Sequence, residues 1–124
     1  MLIKIEFESD TPIYIQLKRQ IIQGIAKGEL KEGDSLPSVR QMAEDIGINM
    51  HTVNKAYSML KMDGFITVDR RKGALVNKIS KAYSEEYMEN LKEELSYFIA
   101  EASSKGVDEK EFLNVCKEIF NEYK

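Results

Sequence analysis

The chain has 124 residues, 43% of them hydrophobic and 31% charged, the balance of one globular domain with a small appendage. It holds one cysteine, Cys116, and one histidine, His51, which excludes an intrachain disulfide and leaves no set of residues for a metal centre. The net charge of −3 hides an asymmetry: residues 1–80 carry 12 basic and 10 acidic side chains, a net of +2, while residues 81–124 carry 6 and 11, a net of −5.

In chain order, the first element is MLIKIEFESD, in which Ile3, Ile5 and Phe7 alternate with Lys4 and Glu6. Residues 2–7 are therefore expected to form a short strand with one buried side. Asp10 or Thr11 is expected to cap a helix with Pro12 at its first position, where the missing N–H costs nothing. Ile13, Leu17, Ile21 and Ile25 recur every four residues, Tyr14 and Ile22 widen the stripe, and Gly28 should end it. The stretch GELKEGDSLP reads as a loop. Ser38 and Gln41 have the spacing of a capping box for a second helix, with Val39, Met42, Ala43 and Ile46 inward and Gly47 at its end. Asn49 is expected to cap a third helix, which buries Val53, Ala56, Tyr57 and Leu60 and closes at Gly64. Phe65–Val68 and Ala74–Val76 are β-prone runs on either side of DRRKG, the pattern of a hairpin with a charged tip.

Beyond Ser84 the helical period returns. Met88, Leu91, Leu95, Phe98, Ile99 and Ala102 form one stripe, SSKG interrupts it, and Asp108 caps a last helix carrying Phe112, Val115, Cys116, Ile119, Phe120 and Tyr123. Two helices this short cannot bury such stripes alone, so they need a covering surface.

Two helices joined by a Gly-containing turn and followed by a basic hairpin form an arrangement that places a helix in a DNA groove. Residues three and four apart share a helix face, so His51, Asn54, Lys55 and Ser58 lie together, opposite the buried set. Any amphipathic surface helix shows a polar outer face, and the context gives this one meaning. Asn54 has the bidentate amide that reads adenine, and His51 can donate to guanine. Thr52 and Lys55 suit phosphate, and Arg40 lies where a backbone phosphate would pass. Arg70, Arg71 and Lys72 crowd one turn, where they repel one another unless a polyanion is near.

The ordered set of Pro12-Ile13-Tyr14, Gln16-Leu17, Gly28, Leu30, Gly33-Asp34, Leu36-Pro37-Ser38, Arg40, Gly47, Asn49, Thr52-Val53, Lys55-Ala56-Tyr57, Leu60 and Gly64 resembles the winged helix-turn-helix of GntR-type bacterial transcription regulators. The likeness runs from Pro12 to about Val76, roughly half the chain. Only two helices follow, which is similar to the YtrA-like subgroup. The resemblance implies a mainly α fold with a small β wing: a DNA-binding domain over 1–80 and a two-helix dimerisation region over 81–124. It implies DNA contacts at Ser38, Arg40, Asn49, His51, Thr52, Asn54 and Lys55; the hairpin tip, Arg70, Arg71, Lys72 and Gly73, is expected to add wing contacts. Dimerisation would use Met88, Leu91, Leu95, Phe98, Phe112, Cys116, Ile119 and Phe120. It also implies a repressor of a transporter operon. Asn49-Met50-His51 and Arg71 depart from the family pattern.

The expectation is therefore a homodimeric regulator that binds double-stranded DNA at a pseudo-palindromic site, with the alternative of a winged-helix module that docks protein. No cofactor is expected, and any small-molecule effector is unknown. No apolar run reaches the ~18 residues of a membrane span and no signal-peptide core is visible, so no membrane partner and a cytoplasmic location are expected. There is no nucleophile–base set and GELKEG lacks the Lys-Ser/Thr ending of a phosphate loop, so an enzyme is not expected.

Overall fold

A computed structural model describes residues 2–78 and 83–124. The chain divides into two compact units, Met1–Ile79 and Ser80–Lys124. The first contains α1 (Ile13–Ala26), α2 (Val39–Ile46), α3 (Met50–Met62), β1 (Ile66–Asp69) and β2 (Gly73–Val76). The second contains α4 (Glu85–Ser104) and α5 (Glu109–Asn121).

One core unites the first unit. Leu17 and Ile21 of α1, Met42 and Ala43 of α2, Val53, Ala56, Tyr57 and Leu60 of α3, and Ile66 and Val76 of the hairpin are all buried. α3 lies at the centre, packed against α1, α2 and β1. The apolar spacings predict these faces, because each four-residue repeat places its side chains on one stripe.

The N-terminal strand is not formed. Ile3 and Ile5 do pack on the margin of the core, but Phe7 is 62% exposed. The segment is held by side chains instead of a neighbouring strand. Gln20 accepts from the Lys4 N–H at 2.8 Å and donates to its carbonyl at 2.5 Å. Gln16 does the same for Glu6, at 2.8 and 3.0 Å, and also reaches the Thr11 carbonyl at 2.8 Å. Each carboxamide offers one donor and one acceptor, the complement of a peptide unit. Two of them four residues apart on α1 therefore replace a strand edge.

Helix starts differ in detail from expectation. Pro12, not Asp10 or Thr11, is the cap residue of α1, and its carbonyl accepts from Ile15 and Gln16. Only half of the capping box closes at α2. The Ser38 hydroxyl accepts from the Gln41 N–H at 3.1 Å, but the Gln41 amide turns forward to Asp45 at 2.7 Å. Gly47 ends α2 with φ +80°, a left-handed conformation that lets Ile48 enter the turn toward α3.

Part of the expected loop GELKEGDSLP adds a third edge to the wing. β1 and β2 pair antiparallel, Ile66 opposite Val76 and Asp69 opposite Gly73. On the other side of β2, Gly33 N–H reaches the Val76 carbonyl at 2.9 Å and Leu36 N–H the Ala74 carbonyl at 2.8 Å. Ser35 bridges Leu75. Leu36 is buried there, which seats the loop before α2 on the hairpin.

In the second unit, Ser84 and Asp108 cap α4 and α5 through the N–H groups of Tyr87 and Glu111, at 3.0 and 2.8 Å. Gly106, at φ +92°, makes the turn between them. No residue of either helix is buried: Phe98 is 56% exposed and Phe120 67%, while Met88, Phe112 and Cys116 are half-buried.

Candidate nucleic-acid interface

α3 carries the centre of the candidate interface, held in place from three sides. Its buried face rests on α1 and α2. The Tyr57 hydroxyl donates to the Pro37 carbonyl at 2.7 Å. Burial pushes this phenol well above its ordinary value, so it stays protonated and able to donate. Near the other end, Asp63 pairs with Lys18 of α1 at 3.1 Å. These anchors fix which residues of α3 face outward.

His51, Asn54, Lys55 and Ser58 are exposed, and Thr52 is half-buried. The outward face has two flanks. On one, Asn54, Ser58 and Lys61 line an open cleft of about 380 Å³, closed by Ser38 ahead of α2 and by Val68 and Gly73 of the wing. On the other, the Lys55 ammonium stands 4.0 Å from the centre of the Tyr14 ring. The single polar set expected from spacing is thus split: Asn54 turns to the wing and Lys55 to α1. Lys61 and Tyr14 are additions. The i, i+4, i+7 spacing of Asn54, Ser58 and Lys61 was a signal available for the first. Tyr14 reads as core from its spacing alone.

Two expected contacts are also structural. Asn49 caps α3 by accepting from the His51 N–H at 2.7 Å, which leaves its amide donors. Ser38 caps α2 through its oxygen and keeps its hydroxyl proton to donate. Arg40, on the first turn of α2, is exposed.

The wing tip is a turn organised by an acid. Asp69 accepts from the N–H groups of Arg71 and Lys72 at 2.7 and 3.1 Å. These backbone bonds hold its carboxyl below the ordinary value. Gly73 closes the turn at φ +79°, a conformation that favours glycine. Arg70, Arg71 and Lys72 are exposed, and among the described residues none of the three pairs with a carboxylate. One carboxylate oxygen, Oδ1, takes both backbone bonds, and the three cations of the turn stay exposed.

Among the described residues no His/Cys/Asp/Glu group could hold a metal ion, and no helix is long and apolar enough to cross a membrane. On α4 Leu91, Leu95 and Phe98 are exposed and Met88 is half-buried; on α5 Ile119 and Phe120 are exposed and Phe112 and Cys116 are half-buried.

Residues 13–76 match the bacterial regulatory proteins of the gntR family. The chain is 38% identical over 119 residues to the HTH-type transcriptional repressor YtrA of Bacillus subtilis (strain 168), covering 95% of this chain and 92% of the relative. Among solved structures, YtrA from Sulfolobus acidocaldarius, a GntR-family transcription factor, is 44% identical with a TM-score of 0.64, covering 84% of this chain and 99% of that one. A transcriptional antiterminator from Listeria monocytogenes EGD-e superposes with a TM-score of 0.92 at 27% identity, covering 100% of this chain and 94% of that one.

Proposed function

Because the chain belongs to the gntR family of bacterial regulatory proteins, a family of DNA-binding regulators and not of enzymes, we propose that it is a sequence-specific repressor acting in the cytoplasm as a homodimer. The observation that carries this reading is the cleft between α3 and the wing, lined by Ser38, Asn54 and the wing's Gly73, together with three exposed wing cations that pair with no carboxylate among the described residues. In this reading α3 enters the major groove. Asn54 and His51 read base edges, and Ser38, Arg40, Asn49, Thr52 and Lys55 hold the backbone. Arg70, Arg71, Lys72 and Gly73 reach the flanking phosphates.

The exposed stripes of α4 and α5 support a second copy as their cover, since an isologous two-fold dimer is the commonest closed assembly. Two recognition helices would then meet a pseudo-palindromic site, with half-sites about one helical turn, ~34–36 Å, or a multiple apart. Repression of a transporter operon follows from the likeness to the YtrA-like subgroup, and the genes adjoining this one test it.

A protein-docking role needs apolar anchors on the outer face of α3. Met50 and Met62 are the exposed apolar residues there, and they stand at opposite ends of the helix. Mobility shifts with genomic fragments separate the two readings. A regulator retains one or a few fragments as salt is raised to physiological strength. A docking module retains none at either salt.

A further inference from the structure

Lys55 is an exposed lysine on the outer face of a helix, a position where the side chain ordinarily wanders. Here it does not point outward alone. Its ammonium sits over the ring of Tyr14, 4.0 Å from the centre. Tyr14 lies on the first turn of α1 and is half-buried, packed on the margin of the core, so the ring is a fixed platform. One turn further along α1, Lys18 grips Asp63 at the end of α3. The packing of α1 on α3, with this ion pair at its edge, keeps the ring beside the lysine.

We propose that Tyr14 is a positioning residue for DNA binding: its ring holds the Lys55 ammonium in place for a backbone phosphate on the α1 flank of the recognition helix. The ring face is the negative part of the aromatic quadrupole and attracts the cation on one side. An ammonium has three N–H donors, and the ring occupies only the side facing it. The remaining donors are open to a phosphate oxygen, so ring, ammonium and phosphate can stack in that order. A lysine already ordered in the free protein loses less rotamer freedom on meeting the phosphate. The hydroxyl of Tyr14 is not required for this, only the ring.

The inference rests on the assignment of α3 to DNA, and one experiment separates the two. The full chain is titrated by anisotropy into a fluorescein-labelled mixed-sequence duplex over a series of salt concentrations, with variants that keep apolar bulk on the core, Tyr14→Leu and Tyr14→Met, beside Tyr14→Phe, Lys55→Ala and Tyr14→Leu/Lys55→Ala. Lys55→Ala should weaken binding and reduce the slope of log K against log salt by about 0.9. Tyr14→Leu and Tyr14→Met should each weaken binding about two- to tenfold, through the rotamer freedom that an unordered Lys55 then loses on meeting the phosphate. Tyr14→Phe should bind as the wild type, and the double variant should bind as Lys55→Ala alone. The proposal is overturned if removing the ring leaves binding unchanged or tighter, if Tyr14→Phe loses as much as Tyr14→Leu, or if Tyr14→Leu costs the same factor with and without Lys55. If Lys55→Ala binds as the wild type, the phosphate role of Lys55 is wrong and the positioning role falls with it. A wild-type chain that binds no duplex at low salt removes the assignment of α3 to DNA itself.

Discussion

The Tyr57 hydroxyl donates to the Pro37 carbonyl at 2.7 Å, so α3 is bolted to the segment that leads into the helix before it. Tyr57 belongs to the inward face of α3, and Pro37 precedes the cap of α2. The bond adds a polar tie to the apolar packing between α2 and α3.

Tyr57→Phe should lower stability by about 1 kcal/mol, the usual worth of such a bond. In a unit of this size that corresponds to a fall in Tm of about 4–8 °C, read by circular dichroism. The pH dependence has a definite sign. Burial raises the phenol in the folded state above its ordinary value of 10.0, so folding favours the neutral form. The contribution is fully present below about pH 10 and is lost as pH rises beyond it. Denaturant titrations from about pH 9 to pH 11 should show a decline in the wild type that is shallower in Tyr57→Phe. Equal declines would place the effect elsewhere.

Gln16→Ala should release the segment before α1. That side chain makes three hydrogen bonds, two to Glu6 and one to Thr11. Hydrogen exchange at the Glu6 amide should accelerate while the amides of α3 keep their protection, with a global loss of about 1–2 kcal/mol. Unchanged exchange at Glu6 would mean that Gln20, Ile3 and Ile5 hold the segment without Gln16.

Much of this fold is legible in the sequence, and the exceptions share a cause. Apolar periodicity marks the helices because burial follows 3.6-residue spacing, and Ser38, Asn49, Ser84 and Asp108 mark their starts because orphan N–H groups need acceptors. Alternation separates the inward Ile3 and Ile5 from the outward Lys4 and Glu6 but fails at Phe7, which is exposed. It does not reveal what satisfies the backbone, and here two glutamines on α1 replace the strand partner. The Ser35 bridge to Leu75 is likewise a pairing between distant segments with no local signature. At the interface, spacing groups Asn54 with Lys55, since both lie outward. Only the positions of the wing and of Tyr14 divide them.

Asp69→Asn should keep the turn cap, because an amide oxygen can accept from Arg71 and Lys72, and should remove the one negative charge at the tip. Binding to a mixed-sequence duplex at low salt should be equal to or tighter than that of the wild type, while Asp69→Ala should weaken it by loosening the turn. In the wild type the cap is present above the ordinary carboxylate value of 3.8 and is lost as pH falls through the lowered value of Asp69. Weaker binding by Asp69→Asn would show that the charge, not the turn, is what the wing needs.

Leu95→Asp with Ile119→Asp places two carboxylates on the exposed stripes of α4 and α5. Sedimentation equilibrium at micromolar concentration should give a dimer for the wild type and a monomer for the double variant, with the thermal transition of the first unit retained. Operator affinity should fall much more than binding of single half-sites. A wild-type monomer at that concentration contradicts the dimer.

The most direct test of the interface uses an operator selected from a random duplex pool, titrated against wild type and Asn54→Ala by fluorescence anisotropy, with a scrambled duplex alongside. Asn54→Ala should lose about 1–3 kcal/mol on the operator and nothing on the scrambled sequence, since its amide reads bases and not phosphates. Arg71→Ala should weaken both duplexes alike and flatten the salt dependence. Asn54→Ala binding the operator as tightly as wild type would contradict the assignment of this face of α3 to sequence readout.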